Sequence, residues 1–97
     1  MKMILAIYNV AIDIEVMEAV RQVGIQYYTK WPRLTGEGPQ SGPRLDDHIW
    51  PGANTMLMIV VADEVVPKIM ETLKGLQNTI GKTEGLQAFI LNIEAQL

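Results

Sequence analysis

Residues 34–54, LTGEGPQSGPRLDDHIWPGAN, divide the chain into two halves. Glycine and proline are too frequent here for a strand or a helix, so the segment is predicted to be a long loop. Loops of this length inside a small domain are usually functional or disordered. The segment also holds the only histidine, His48, the adjacent acidic pair Asp46 and Asp47, and one of the two tryptophans, Trp50. Outside it, each half reads strand, helix, strand.

In the first half, residues 2–8 form a continuous apolar run of strand length. Residues 14–23 then switch to helical spacing, with Ile14, Met17, Val20 and Val23 predicted on one face. Asp13 is placed to cap the helix start, Ile12 and Met17 to staple it, and Gly24 to supply the positive φ of a C-terminal cap. Residues 25–33 carry Tyr27, Tyr28, Thr29 and Trp31, a strand composition, and Pro32 places the end of that strand at an edge or bulge. In the second half, residues 55–62 read as a strand. Asp63 is the expected N-cap of a helix with Pro67 in its first turn, and Val66, Ile69, Met70, Leu73 and Leu76 keep helical spacing to about Gln77. A turn over 81–85 and a last strand over 86–93 complete the order βαββαβ. With right-handed crossovers this order predicts an α+β domain spanning 1–97. It has a ferredoxin-like four-stranded antiparallel sheet, both helices on one face, and the long loop between the second and third strands.

Two helices can cover only one face of such a sheet, so an isolated subunit should alternate apolar and polar residues along its strands. The runs MILAI (3–7), MLMIVV (56–61) and AFIL (88–91) do not alternate. An uncovered apolar face of this size marks an interface, and an oligomer that buries the sheet is expected. Exposed apolar side chains are the plainer alternative, since much of any protein surface is apolar.

Composition narrows the function. The chain has 97 residues, 48% of them hydrophobic and 20% charged, which is globular rather than disordered. A net charge of -3 leaves no excess of cations to neutralise phosphates, which argues against nucleic acid as a partner. The absence of cysteine excludes disulfides, thiolate ligands and thiol nucleophiles. The N-terminal MKMILAIYNV has no small-residue cleavage site and reads as a first strand in a cytoplasmic protein that is not membrane-integral.

The order of elements resembles a known family. VGIQ (23–26) after the first helix, the glycine-flanked excursion 34–54, and VVADE (60–64) leading into the second helix are similar to the PII-like signalling proteins. The resemblance implies a homotrimer with inward-facing sheets and a T-loop, here 34–54, that docks on a protein partner such as a transporter or an enzyme. It also implies a small effector, usually an adenine nucleotide, bound in clefts between subunits. GEGPQSG (36–42) keeps the glycine and glutamine spacing of the family's loop base, so Gly36, Gly38, Gln40 and Gly42 are implied effector contacts. GKTEG (81–85) is a shortened relative of the second nucleotide segment and adds Gly81, Lys82 and Gly85, with Lys82 as its phosphate cation. The chain departs from the family at Glu37, where an aromatic is usual, and at Pro39, where a basic residue is usual. It also lacks the C-terminal arginine pair and a loop tyrosine. These departures predict a divergent member rather than a sensor of ATP and 2-oxoglutarate.

Other residues of the loop suggest other chemistry. Asp46, Asp47 and His48 could hold a divalent metal, with histidine favouring zinc, copper or nickel. That reading would suit the related CutA-like trimers, and solvated loop residues are its plain alternative. A catalytic role for His48 with Ser41 lacks an orienting shell, and a non-enzymatic regulator is expected. Arg33 and Arg44 flank the loop as solvated cations or anion clamps. Trp50 is either an anchor packed on the domain or, with Arg44, part of a surface for a protein partner.

Overall fold

The structure is a computed structural model that describes residues 1–39, 42–48, 52–81 and 83–97. It contains β1 (Lys2–Asn9), α1 (Asp13–Gln22), β2 (Thr29–Leu34), β3 (Gly36–Gly38), β4 (Gly42–Arg44), β5 (Asn54–Val61), α2 (Val66–Leu76) and β6 (Gln87–Asn92). The main sheet has the order β2-β5-β1-β6, and every pairing in it is antiparallel. Strands β3 and β4 pair separately as a small hairpin. With α1 and α2 packed together on one face, this is the ferredoxin-like arrangement expected from the order of apolar segments.

Alternation along β1 and β5 builds the core. Ile4, Ala6 and Tyr8 of β1 and Leu57 and Ile59 of β5 are buried against Val16, Met17 and Val20 of α1 and Val66, Ile69 and Leu73 of α2. The intervening residues point to the other face, where cross-strand register sets Leu5 beside Met58 and Phe89, and Met3 beside Val60 and Leu91. No helix of the described chain covers that second face. It remains apolar, with Phe89 49% and Leu91 43% exposed.

The ends of α1 show where local sequence was sufficient and where it was not. Gly24, at φ 89°, closes a Schellman cap: its N–H donates to the Arg21 carbonyl (3.0 Å), and Ile25 N–H donates to the Val20 carbonyl (3.1 Å). Ile25 and Val20 are both buried, as this cap requires. At the other end Asp13 is not the cap. A 3-10 turn at Val10–Ile12 precedes the helix, capped by Asn9, whose Oδ1 accepts from Ala11 N–H at 3.0 Å. The Asp13 carboxylate instead accepts from the Tyr8 hydroxyl at 2.6 Å and from Lys30 Nζ at 2.9 Å. The face of α1 also differs from expectation. Val16 joins Met17 and Val20 in the core, while Ile14 is 71% exposed, because it lies about 120° round the helix from the middle of that stripe.

Asp63, expected as the cap of α2, likewise belongs to a 3-10 turn, Asp63–Val65, and makes no cap bond. Its carboxylate pairs with the Met1 amino group at 2.5 Å, which lowers its pKa. Pro67 does sit in the first turn of α2. Strand β2 begins at Thr29 rather than at residue 25, and it is an edge strand with a register shift between Trp31 and Leu34, where Pro32 falls. The loop expected over 34–54 contains the β3–β4 hairpin, so part of it is paired backbone despite its glycines.

Tyr8 is fully buried, and its hydroxyl has Asp13 as acceptor. Burial first, then the carboxylate, pushes the phenol well above its ordinary pKa, so it remains a donor across the working range. Asp13→Ala strands this hydroxyl and also removes the partner of Lys30. It is expected to cost about 2 kcal/mol in urea titration, against about 1 kcal/mol for Tyr8→Phe, which removes donor and desolvation cost together. Equal losses would show that Asp13 does not satisfy Tyr8.

Candidate functional site

A cleft of about 630 Å³ opens where the base of the 34–54 segment meets the end of α2 and the start of β6. One wall is the β3 side of the hairpin, including Gly36, Glu37 and Gly38. The opposite wall is formed by Gln77 and Asn78, which follow α2 in a π-helical turn (Gln77–Gly81), and by residues 85–87. Ile7, Leu34 and Leu86 supply apolar surface, and Arg44 and Asn54 supply polar groups.

Hydrogen bonds crossing large sequence separations hold these walls. Asn9 N–H donates to the Glu84 carbonyl (2.9 Å), and Asn9 Nδ2 donates to the Glu84 carboxylate (2.8 Å). Gln77 Nε2 donates to the Leu86 carbonyl at 2.7 Å, and Val10 N–H donates to the Ala53 carbonyl at 3.0 Å. The loop base is thereby tied to the end of β1 and to the turn before β6. Gly36 is needed for close approach, since a Cβ there would meet Asn54 Nδ2 at 3.0 Å.

Arg44 is the unexpected member. Assigned from sequence to a partner-binding surface, it is only 6% exposed. Its Nη1 donates to Asn54 Oδ1 and its Nη2 to the Thr83 carbonyl, both at 3.1 Å. Its aliphatic stem lies under Gly52, where a Cβ would meet Arg44 Cγ at 3.1 Å. Among the described residues no carboxylate pairs with it.

Of the glycines singled out in the sequence, Gly36, Gly38 and Gly85 line the cleft, while Gly42 opens β4 at φ 74° and Gly81 ends the π-helical turn. Gln40, Ser41, Trp50 and Lys82 lie outside the described residues. Asp46, Asp47 and His48 do not assemble into a metal centre: no group of three metal-ligating side chains occurs among the described residues, and Asp46 is committed to an ion pair with Arg33. Both partners of that pair have left-handed backbone, Arg33 at φ 59° and Asp46 at φ 56°. Sequence reasoning missed Asn54, Gln77 and Asn78, whose contribution depends on contacts with distant segments. No described helix is long and apolar enough to cross a membrane.

The sequence matches the model of a known family over nearly its whole length. The model of that family, nitrogen regulatory protein P-II, matches residues 1–96, and the chain belongs to it. Among solved structures, CPII from Thiomonas intermedia K12 bound to ADP and bicarbonate has a TM-score of 0.78 and 20% identity, covering 95% of this chain and 84% of that one. The same protein bound to ADP, AMP and bicarbonate gives 0.76 and 18%, covering 99% and 92%. A PII-like signalling protein from Thermus thermophilus gives 0.64 and 22%, covering 95% and 85%. No curated protein matches the chain.

Proposed function

We propose that this protein is a cytoplasmic, non-enzymatic PII-like regulator that binds an adenine nucleotide in the 630 Å³ cleft and signals through the 34–54 segment to a protein partner such as a transporter. The observation that carries the reading is the position of the cleft, formed by the base of that segment and the turn before β6, so one ligand can touch both. A ligand that binds one arrangement of the segment more tightly than another shifts its population by that difference in affinity. In this reading residues 1–97 act as one domain. Three copies bury the apolar sheet face, which brings the clefts to subunit boundaries. Gly36, Gly38, Gln40, Gly42, Gly81, Lys82 and Gly85 are the proposed effector contacts, and Trp50 a proposed partner contact.

Thermal unfolding against ADP, AMP, ATP, bicarbonate and divalent metals tests the reading. A ligand at a hundred times its Kd adds about 2.7 kcal/mol to native stability, a shift of several degrees for a domain of this size. ADP or AMP is expected to give that shift and Lys82→Ala to reduce it; a response to metals alone would reject the nucleotide reading. Glu37 lines the cleft as an exposed carboxylate, where it repels a polyanion through water. Glu37→Gln is therefore expected to tighten ADP binding by about 2- to 5-fold at low salt, with the gain lost at high salt. Weaker binding would mean that Glu37 contacts the ligand through hydrogen bonds instead.

A further inference from the structure

We infer that Arg44 is the oxyanion receptor of this cleft, taking the phosphate oxygens of the effector; the nucleotide as source of that phosphate rests on the reading above. An arginine only 6% exposed is costly to keep charged unless an anion faces it, yet its two described hydrogen-bond partners, Asn54 Oδ1 and the Thr83 carbonyl, are both neutral. No carboxylate among the described residues neutralises it. These two bonds, with Gly52 closing over the stem, hold the planar fork in place before any ligand arrives. Arg44 lines a cleft large enough for a nucleotide, and Gly36, Gly38 and Gly85, which also line it, permit close approach by a phosphate. The only other charged side chain lining the cleft among the described residues is Glu37, which is exposed and screened by water. The chemistry selected is a phosphate or similar oxyanion bound to the fork, with the remainder of the ligand against Ile7, Leu34 and Leu86.

Because the Thr83 carbonyl is one of its acceptors, Arg44 also joins the loop base to the turn before β6 across 39 residues. An anion on the fork competes with that carbonyl, so occupancy of the cleft is felt by both walls.

Calorimetry on the full chain with ADP, adenosine and inorganic pyrophosphate, for the wild type, R44K and R44Q, tests the assignment. R44Q is expected to weaken ADP at least tenfold while leaving adenosine unchanged, and R44K to fall between, because it keeps the charge but not the fork. If the wild type ignores nucleotides but binds pyrophosphate through Arg44, the receptor stands and the nucleotide reading fails. A folded R44Q that binds ADP like the wild type overturns the receptor, as does a wild type that binds no anion. Should R44Q not fold, the Nε–H resonances of the wild type decide, since the chain has only three arginines. ADP moving Arg44 but not Arg21 or Arg33 supports the assignment, and an unmoved Arg44 ends it.

Discussion

Leu5→Asp is expected to dissociate the proposed trimer while leaving the subunit folded. Leu5 lies in the middle of the uncovered sheet face, paired across β1 with Met58 of β5 and Phe89 of β6, with Met3 and Ile7 two residues away on the same face. In an isolated subunit Leu5 is only partly buried, so a carboxylate here still reaches water and its cost to folding is about 1–2 kcal/mol. In a closed symmetric assembly each copy would bury an unpaired charge, at several kcal/mol per ion, and symmetry would set the copies against one another. The wild type is expected to sediment as a trimer at micromolar concentration and L5D as a monomer with unchanged far-ultraviolet circular dichroism. A wild type that is already monomeric would refute the assembly argument, and Phe89 and Leu91 would then be ordinary exposed side chains.

Features that are local in sequence were legible in it. Gly24 needed only the end of a helical period followed by a residue tolerant of φ 89°, and Pro32 marked an edge because it has no N–H to give to a sheet. The apolar runs on β1, β5 and β6 reported both faces at once, which is why the uncovered face could be foreseen. Side chains claimed by distant partners were not legible. Asp13 and Asp63 each look like helix caps, but Tyr8 and Lys30 take the first and the Met1 amino group takes the second. The β3–β4 hairpin was missed because three-residue strands rich in glycine carry no readable period. Arg44 reads as a solvated loop cation until the fold brings the Thr83 carbonyl and Asn54 to it, and burial of that kind leaves no signature in neighbouring residues.

Leu57→Ala is expected to cost about 3–4 kcal/mol, the largest single loss of stability among the substitutions considered. Leu57 is fully buried on the helix-facing side of β5, a strand flanked on both edges by β1 and β2. Of its two cross-strand partners, Ala6 of β1 is fully buried and has no side chain long enough to move into the vacated space, and Lys30 of β2 is held by its ion pair with Asp13. The cavity therefore stays largely open, which places the cost well above bare transfer of the lost methyl groups. At about 4–8 °C per kcal/mol for a domain of this length, the melting point should fall by more than about 12 °C. Assembly would add to apparent stability and make it depend on concentration, so the comparison belongs in the monomeric L5D background. There Met58→Ala, one residue along on the uncovered face, should cost clearly less than Leu57→Ala because its side chain is only partly buried in the isolated subunit. In the wild-type background Met58→Ala should instead weaken assembly and leave the subunit core intact. A larger loss for M58A than for L57A in the monomer would mean that the two faces of the sheet have been assigned the wrong way round, and equal losses that neither face is preferentially covered.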